Sequence, residues 1–368
     1  MTVSGADIDA TDAPWIGVVV VAYAASDFIA ECLESLVATG YPRLKIVVVD
    51  NASPDDTAGA VRDWASGARP FAVPHDWPIP GASVTPKPQR LAEFGADEAQ
   101  TASFDALGKV ALVHSGRNRG FAGGVNVGLR TLRPHPEVSL FWILNPDCAV
   151  EPQTPAAFAA ASRTAGPFSI MGGRAIFFGE PAMVQADGGR VRRWRGTGAS
   201  ININRRADDC EPPDPATLDY IPGMSMVASR AFLDMAGLLD ETWFLYFEEI
   251  DWAYRRGPLP LAVAPQARVR HRAGASIGSR AGRKLPSPLA AYIGARNRLR
   301  FMARWHPSRL PVAYAVALAT FARQFLLTAA WPQLSASLRG LHGLPPPPSV
   351  RATLPEDVWA MLARRSWR

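Results

Sequence analysis

The densest group of acidic side chains in the sequence lies between residues 247 and 255, directly after an aromatic run. The segment reads Phe247-Glu248-Glu249-Ile250-Asp251-Trp252-Ala253-Tyr254-Arg255 and follows Trp243-Phe244-Leu245-Tyr246. This pattern predicts the start of a helix, in which Asp251 and Arg255 can pair four residues apart. Carboxylates beside apolar walls are candidate general bases, because desolvation raises their proton affinity. Glu248 and Glu249 fit that description, and Asp251 is the third catalytic candidate.

A single carboxylate follows another apolar run. Leu140–Leu144 reads as a buried strand and leads into Asn145-Pro146-Asp147. Asp147 could hold a hard cation that bridges a diphosphate, although such a turn is also an ordinary strand terminator. His271 has no metal-ligand partner close to it in the sequence. It is either structural, or it completes a divalent site with Asp147 or contacts a phosphate.

A glycine-rich segment at residues 118–128 follows a predicted strand at Val110–Val113 and opens a helix. The segment matches neither the GxGxxG fingerprint nor a P-loop. Asn118 and Asn126 could bind a nucleotide, whereas Phe121 and Val125 have the character of packing residues. The alternative is a tight strand-to-helix turn without a ligand.

The elements that must position these residues begin with a βαβ unit. Trp15–Tyr23 is a run of β-branched residues, an amphipathic helix capped by Ser26 follows, and Leu44–Val49 is a second buried strand ending on Asp50. Strand, helix and strand in this order predict a parallel α/β sheet, whose ligands bind beyond the carboxyl ends of the strands. Asp50, Asn51 and the residues that follow the later strands should therefore lie at one edge.

Two other segments have a different character. Residues 68–107 are rich in proline and lack periodicity, which predicts an insertion or a surface loop rather than a sheet element. Between Met171 and Ile221, short apolar runs alternate with Gly and Arg clusters, which suggests hairpins or irregular structure.

The C-terminal region is basic and apolar. Residues 296–343 contain several arginines and no Asp or Glu. Arg296 and Asn297 open this region, and they could bind diphosphate charge or lie on a solvated helix face. Residues 312–331 are long enough to span a bilayer, but Arg323 and Gln324 fall inside them. Because an arginine at mid-membrane is costly, an interfacial helix is favoured over a span, the alternative being a core-packing helix with a basic face.

Composition limits the class of protein. The 368 residues are 48% hydrophobic, which is enough for a sizeable core. The formal net charge of +6 is compatible with binding to an anionic ligand or to an anionic membrane surface. The three cysteines have no CxxC spacing, which excludes a disulfide framework and a thiolate zinc site. Residues 1–14 lack an apolar signal region and are predicted to be a disordered tail, so a cytoplasmic location is expected. No nucleic-acid-binding module is recognisable.

Six motifs in order resemble glycosyltransferase family 2, in particular its rhamnosyltransferase-like branch that acts on bacterial cell-surface polysaccharides. They cover about residues 15–300. The matching segments are Val49-Asp50-Asn51-Ala52-Ser53, Asn118-Arg119-Gly120-Phe121-Ala122-Gly123-Gly124-Val125-Asn126, Leu144-Asn145-Pro146-Asp147, Phe244-Leu245-Tyr246-Phe247-Glu248-Glu249-Ile250-Asp251, His271-Arg272-Ala273-Gly274-Ala275-Ser276 and Arg296-Asn297.

The resemblance implies a GT-A fold, which is a mixed and mainly parallel sheet flanked by helices, with a helical basic C-terminal extension. It implies a nucleotide-sugar donor, an inverting displacement and a divalent cation, Mg²⁺ or Mn²⁺, at Asp147 and His271. Asn145 stands where the family's metal motif has its first Asp. Glu249 takes the place of the catalytic base, with Glu248 in reserve. The donor-binding residues that it implies are Tyr23, Asp50, Asn51, Asn118, Gly120, Phe121, Gly124, Asn126, Asn145 and Arg296.

The predicted organisation is a glycosyltransferase domain at residues 15–278 and a helical, basic region at residues 279–368. The expected donor is dTDP-rhamnose, with UDP-sugars as alternatives, and the expected acceptor is a glycan or a lipid-linked sugar. We expect a peripheral position on the inner face of the plasma membrane and no nucleic-acid partner. Two alternatives stay open: a non-catalytic scaffold with this fold, and another nucleotide-dependent enzyme such as a nucleotidyltransferase or dehydrogenase.

Overall fold

The computed structural model describes residues 13–69, 71–74, 76–79, 84–179, 181–272 and 285–363. Most of the predicted tail, the domain boundary at residue 278 and residues 273–276 of the histidine motif lie outside these ranges. The tail prediction was wrong for its last two residues. Ala13 is 1% exposed, and Arg43 Nη1 donates to its carbonyl oxygen at 2.9 Å. Tyr41 Oη donates to the Pro14 carbonyl oxygen at 2.9 Å, so the core already includes these positions.

Ten strands of the described chain form one mixed sheet, with the order β3-β4-β2-β1-β5-β11-β7-β12-β6 and β8 paired to β7, and β9 and β10 form a separate hairpin. In chain order the strands are β1 (Trp15–Ala22), β2 (Leu44–Asp50), β3 (Leu91–Gly95), β4 (Val110–His114), β5 (Val138–Leu144), β6 (Cys148–Val150), β7 (Ile170–Phe177), β8 (Val184–Ala186), β9 (Gly189–Arg192), β10 (Thr197–Ser200), β11 (Ser225–Ser229) and β12 (Ala262–His271).

Helices flank both faces of this sheet. They are α1 (Ile29–Ala38), α2 (Thr57–Ser66), α3 (Ala96–Ala99), α4 (Gly120–Leu132), α5 (Thr154–Thr164), α6 (Arg230–Ala236), α7 (Glu248–Tyr254), α8 (Pro288–Trp305), α9 (Leu310–Thr328), α10 (Trp331–Leu341), α11 (Pro348–Arg351) and α12 (Glu356–Ala363), with 3-10 turns at Ala207–Asp209, Pro215–Thr217, Glu241–Trp243 and Pro307–Arg309.

The parallel part of the sheet is buried on both faces, as the β-branched runs predict. β1 pairs in parallel with β2 and with β5. Because successive side chains of a strand point to opposite faces, Val18 and Val20 enter the core beneath α1, whereas Val19 and Val21 enter the core beneath α4. This arrangement confirms the predicted α/β sheet and places the carboxyl ends of β1, β2, β4 and β5 at one edge.

Helix α1 differs in detail from the prediction. It begins at Ile29 after Phe28, and no side chain caps its N-terminus. Ser26, the predicted cap, instead uses its main-chain N–H to donate to Asp55 Oδ2 at 3.1 Å. The segment before the helix is therefore held by the loop that follows β2.

The proline-rich segment contains a sheet element, which corrects the prediction for residues 68–107. Residues Leu91–Gly95 form β3, which pairs in parallel with β4 at the edge of the sheet. Glu93 on this strand accepts hydrogen bonds from Arg62 and from His114. The strand escaped detection because an edge strand of five residues needs little apolar sequence and can carry charge on its open side.

The described part of the remaining insertion lies against the end of β12. Arg272 donates to Glu31 at 2.9 Å and pairs with Asp76 at 3.3 Å, and its guanidinium lies 3.6 Å from the Phe178 ring centroid. Trp77 packs edge-on against the same ring. The insertion is thereby joined to the residue that follows His271.

The predicted hairpins between residues 171 and 221 are present as β7 with β8 and β9 with β10. The C-terminal region is helical, as predicted. Many side chains of α8 are buried, whereas most of α9 is not. Residues Pro307–Thr328 form the one helix of the described chain that is long and apolar enough to cross a membrane, and 11% of its 18 most apolar consecutive residues are buried.

Candidate active site

A cavity of about 330 Å³ opens beyond the carboxyl ends of β1, β2 and β5. Its walls are mostly apolar, and its polar groups are uncharged amides and hydroxyls. The lining residues are Val21, Tyr23, Asn51, Asn118, Gly120, Phe121, Asn145, Pro146, Phe244, Leu245, Leu289, Thr353 and Leu354. Six of the ten predicted donor-binding residues therefore meet in one concave site, which has the character of a ligand pocket.

The turn between β4 and α4 shapes one wall of this cavity. Asn51 Nδ2 donates to the Gly120 carbonyl oxygen at 3.0 Å, and Asn51 Oδ1 accepts from the Arg119 N–H at 3.0 Å. Gly120 has a φ of 68°, and a Cβ at this position would overlap the main chain of Phe244. Only glycine fits here, because the backbone is left-handed and the aromatic loop approaches so closely that it leaves no room for a Cβ.

Three further predicted donor residues do not line the cavity. Asp50 accepts from the Ser53 N–H at 3.1 Å and so stabilises the loop after β2. Gly124 permits close packing of α4, because a Cβ there would lie 2.5 Å from Val21 Cγ1. Asn126 is 1% exposed, and its side chain donates to the Leu239 carbonyl and accepts from the Leu239 N–H. Their placement supports structural roles rather than the predicted contacts with the donor.

Arg296 also differs from the prediction. It is 5% exposed and donates to the carbonyl oxygens of Leu362 at 2.6 Å and Thr242 at 3.3 Å. Burial lowers the pKa of its guanidinium to about 10. Its hydrogen bonds join α8 to α12 and to the 3-10 turn, so the placement does not support diphosphate binding.

Asp147 and His271 form a buried polar pair next to the cavity. They come from different strand ends, because His271 closes β12 and Asp147 precedes β6, which pairs with β12. His271 Nε2 lies 3.1 Å from Asp147 Oδ1, and Asn145 Nδ2 lies 3.4 Å from the same ring nitrogen. His271 Nδ1 lies 2.9 Å from Gln185 Oε1.

The chemistry of this pair fits a divalent cation. Gln185 Oε1 can only accept, so His271 Nδ1 is the donor, and Nε2 is the ring nitrogen that faces the Asp147 carboxylate. A histidine whose second nitrogen is fixed by a carbonyl oxygen is the usual arrangement around a metal ligand. Cys148 lies in the same group, whose candidate ligand atoms are within 4.8 Å of one another. Burial raises the pKa of the Cys148 thiol, which keeps it protonated and favours the carboxylate and imidazole as ligands.

The two adjacent glutamates begin α7, as the sequence predicts. Glu248 is 4% exposed, and Glu249 is half-buried. Burial raises the pKa of Glu249 to about 7, and burial together with the neighbouring Glu249 carboxylate raises the pKa of Glu248. Glu248 Oε2 and Glu249 Oε2 are buried oxygens without a hydrogen-bond partner in the described residues. Such oxygens are suited to accept a proton from a bound molecule.

Residues 223 and 224 connect the glutamates to the cation-binding edge. A Cβ placed on Gly223 would lie 3.4 Å from the Phe121 ring and 3.7 Å from Glu249 Cβ. The next residue, Met224, accepts a hydrogen bond from the Asn145 N–H at 2.9 Å. Phe121 and Asn145 both line the cavity. The candidate base and the candidate cation site, distant in sequence, are therefore joined through residues around one cavity.

Asp251 is placed differently from the two glutamates. It is fully buried, accepts from Trp305 Nε1 at 2.9 Å, and pairs with Arg255 and Arg304, each at 3.2 Å. The predicted pairing with Arg255 is confirmed. Since all these partners are structural, the placement does not support Asp251 as a catalytic residue.

Comparisons with known proteins agree with this geometry. A sequence model of glycosyl transferase family 2 matches residues 17–79. The low-salt glycan biosynthesis hexosyltransferase Agl10 of Haloferax volcanii is 23% identical over 143 residues, which are 39% of this chain and 45% of Agl10. The resemblance to glycosyltransferase family 2 is confirmed. Because the match spans less than half of Agl10, it does not transfer the activity of that whole protein.

The fold is also shared with solved structures. The crystal structure of GalNAc-T7 with UDP, GalNAc and Mn²⁺ superposes with a TM-score of 0.54 at 13% identity, over 83% of this chain and 50% of GalNAc-T7. Mannosyltransferase PcManGT from Pyrobaculum calidifontis, in complex with GDP-Man and Mn²⁺, gives a TM-score of 0.47 at 17% identity, over 90% and 88% of the two chains. The first match identifies the architecture as a GT-A fold. The family 2 model and the similarity to the hexosyltransferase Agl10 support a glycosyltransferase enzyme.

Asn297, the last residue of the family 2 motif order, holds the loop before the glutamates. It is fully buried, and its Nδ2 lies 2.8–2.9 Å from the carbonyl oxygens of Trp243, Leu245 and Tyr246. The loop contains three non-glycine residues with positive φ, namely Phe244 at 64°, Tyr246 at 68° and Phe247 at 74°. Such residues persist only where surrounding contacts fix them. Asn297 is therefore a positioning residue for Glu248 and Glu249.

Replacing Asn297 with alanine is expected to lower the free energy of unfolding by about 2–3 kcal/mol, because buried carbonyl oxygens lose their donor. Denaturant titration measures this change. In the folded fraction, kcat should fall and KM should rise, because the loop that Asn297 holds precedes the glutamates and also carries Phe244 and Leu245 of the cavity wall. Unchanged stability and kcat would show that the loop holds its conformation without this amide.

Several residues of the site were not predicted from the sequence. Leu289, Thr353 and Leu354 reach the cavity from the C-terminal region, where no local motif marks them. Gln185 lies on a short strand whose sequence carries no ligand signal. Phe244 and Leu245 could have been found, because the aromatic run next to the family 2 acidic motif already indicated an apolar wall.

Proposed function

We propose that this chain is an inverting glycosyltransferase that moves rhamnose or a similar sugar from a nucleoside-diphosphate donor to an acceptor hydroxyl. The acceptor would belong to a cell-surface polysaccharide or to a lipid-linked sugar. The observation that carries the proposal is the pair Glu248 and Glu249, whose buried oxygens have no partner in the described residues. Gly223 connects Glu249 to Phe121 of the apolar cavity, and Asn145 of the same cavity lies 3.4 Å from His271. The hexosyltransferase name of Agl10 and the UDP bound to GalNAc-T7 support the same class of donor.

The cavity suits the uncharged parts of such a donor. Amides of Asn51, Asn118 and Asn145 offer hydrogen bonds, and Tyr23 adds a hydroxyl and a ring face. Leu289 and Leu354 form an apolar wall that would favour the methyl group of a 6-deoxy sugar over a hydroxymethyl group, because a buried hydroxyl needs a partner. This wall supports rhamnose as the sugar.

The chemistry of transfer assigns a task to each side of the cavity. As the acceptor oxygen attacks the anomeric carbon, Glu249 takes the acceptor proton, and the bond to the diphosphate breaks with inversion. The apolar surroundings of Glu249 keep its proton affinity high enough for this step. A divalent cation, Mg²⁺ or Mn²⁺, held by Asp147 and His271 would supply positive charge to the leaving diphosphate. The Mn²⁺ in GalNAc-T7 supports that assignment.

A donor panel tests the proposal directly. The purified chain would be incubated with Mn²⁺ and with dTDP-rhamnose, UDP-galactofuranose, UDP-hexoses and GDP-sugars, and release of nucleoside diphosphate would be measured. We expect one donor to be hydrolysed and to stabilise the protein against heat. Stabilisation by NAD(P) alone, with no sugar nucleotide hydrolysed, would reject the proposal and favour a dehydrogenase.

The activity should depend on pH through the proposed base. Because burial raises the pKa of Glu249 to about 7, the carboxylate is protonated at lower pH and cannot accept the acceptor proton. We expect kcat/KM to rise with pH, to reach half of its maximum near pH 7 and to level off above it. Initial rates in buffers of constant ionic strength measure the profile. A rate that is flat across this range would remove Glu249 from the role of base.

A further inference from the structure

Helix α9 (Leu310–Thr328) exposes an apolar face that the described residues leave uncovered. Only Ala313 and Ala317 of this helix are buried, whereas Leu326 is 83% exposed and Leu327 is 72% exposed. Val312 at the start of α9 and Trp331 just beyond its end are exposed as well. A helix of this composition would normally bury such a face, so it requires a covering partner.

Exposed and half-buried residues form a stripe along one side of the helix. At about 100° per residue, Val312, Val316, Ala319, Arg323 and Leu326 fall within an arc of roughly 80°. We call this set the α9 stripe. Arg323, which is exposed, lies in the middle of it. A long arginine on an apolar stripe can bury its methylene groups and place its guanidinium in a polar layer.

The turn of the β9–β10 hairpin lies beside the start of the α9 stripe. Trp194 in that turn is 60% exposed, and the Arg309 guanidinium lies 4.9 Å from its ring centroid. The turn is fixed to α8, because Arg298 Nε donates to the Arg195 carbonyl at 2.6 Å. Exposed tryptophans therefore stand near both ends of α9, Trp194 at one and Trp331 at the other.

The charges around the stripe are positive. Residues 296–343 contain no Asp or Glu, and Arg339 is exposed together with Arg323. A symmetric dimer through the stripe would bring Arg323 of both copies into one apolar interface without an acid from this region to pair with them. An anionic lipid surface provides both an apolar interior and negative headgroups.

We propose that the α9 stripe and Trp194 form a docking surface for an anionic lipid bilayer, with α9 lying in the plane of the interface. Leu326 and Val312 enter the acyl boundary, Arg323 reaches the headgroups, and the tryptophans lie at headgroup level. A span by α9 is disfavoured because Arg323 would lie within the hydrocarbon. This binding is independent of the proposed activity.

Tyr220 links the hairpin that carries Trp194 to the candidate base. Tyr220 packs against Gly189 and Gly198 of the hairpin, and the Glu249 carboxylate contributes to the raised pKa of Tyr220. The hairpin that carries Trp194 is therefore close to the candidate base. If the proposed function holds, docking brings a lipid-linked acceptor to Glu249.

Vesicle flotation of the purified full chain tests the proposal. Vesicles of phosphatidylcholine alone would be compared with vesicles that contain phosphatidylglycerol at roughly one part in three. We expect binding to the anionic vesicles that weakens in high salt. Leu326→Glu should reduce binding at least about tenfold, because it places a charge in the apolar layer. Arg323→Gln should reduce it about fivefold.

Thr328→Glu is the matched control, because it adds the same charge to the same helix at an exposed position that lies roughly 160° around the axis from Val312. This position is away from the α9 stripe, and the variant should retain most of the binding. Equal loss of vesicle binding in Leu326→Glu and Thr328→Glu would show that binding depends on net charge and not on the apolar stripe. Failure of the wild-type chain to float, with a concentration-dependent dimer that Leu326→Glu abolishes, would show that a second copy covers the stripe. Activity on a soluble acceptor should be unchanged in Leu326→Glu, so failure of the membrane proposal and of the proposed function are distinguishable.

Discussion

Substitution of Glu249 by glutamine is expected to lower kcat by about 10²–10⁴-fold while donor binding is retained. The amide preserves the size of the side chain but cannot take the acceptor proton. Initial rates with saturating donor and acceptor measure the loss, and a thermal shift with the nucleoside diphosphate measures retained binding. A variant that keeps wild-type kcat would show that another group is the base.

Glu248→Gln is the matched comparison, because it makes the same change one residue earlier at a more buried position. Because the Glu249 carboxylate raises the pKa of Glu248, Glu248 stays protonated while Glu249 titrates. The rate profile of Glu248→Gln should therefore keep its midpoint near pH 7, with most activity retained. A larger loss of kcat in Glu248→Gln than in Glu249→Gln would assign the base to Glu248 instead.

Stability provides a second readout for Glu249. Its pKa is raised from 4.5 to about 7 in the folded protein, so the folded state binds its proton more tightly than the unfolded state. The resulting stabilisation is present below pH 4.5 and is lost as the pH rises towards 7. Glu249→Gln should therefore unfold at a higher denaturant concentration than the wild-type protein at pH 8, with the difference vanishing near pH 4.

Substitution of Asp147 by alanine is expected to weaken Mn²⁺ binding and to lower turnover, each by at least about 100-fold. Asp147 is the single carboxylate of the group that also contains His271 and Cys148, so its loss leaves only neutral donors. Isothermal titration with Mn²⁺ measures binding without reference to activity. Chelation of metal from the wild-type enzyme should abolish turnover, and added Mn²⁺ should restore it.

Two variants around this site control for general disruption. Asn145→Asp adds a second carboxylate within reach of His271, so the affinity for Mn²⁺ should rise. Gln185→Ala removes the acceptor that orients the His271 ring, and binding should weaken about 10–100-fold. Unaltered Mn²⁺ affinity in Asp147→Ala and Asn145→Asp would place the cation elsewhere or show that transfer needs none.

The elements that the sequence predicted well are those with strong local signals. β1 and β2 are buried β-branched runs, and they pair in parallel as the order of strand, helix and strand predicted. The helix start at Glu248 and the pair Asp251 and Arg255 are local as well, since they depend on spacing along one helix. The polar residues at the carboxyl ends of the strands came together because parallel strands end at the same edge.

The residues that were misjudged have roles fixed by distant partners. Arg296 and Asn126 are polar residues in suggestive motifs, but each satisfies main-chain groups more than fifty residues away in the sequence. β3 depends on β4 for its hydrogen bonds and has too few apolar residues to be recognised alone. No window of sequence contains both members of these contacts, so no local pattern could reveal them.

By itself, the sequence determined the α/β class and the candidate base at residues 248–249, because strand burial and side-chain chemistry are local properties. The resemblance to glycosyltransferase family 2 added Asp147 and His271 as candidate cation ligands. Tertiary structure alone decided that Gln185 orients His271, that Asn297 holds the loop before Glu248, and that Leu354 closes the cavity. Each of these contacts joins segments far apart in the chain. Their energies arise only when packing removes water from both partners, and that condition is set by the whole fold.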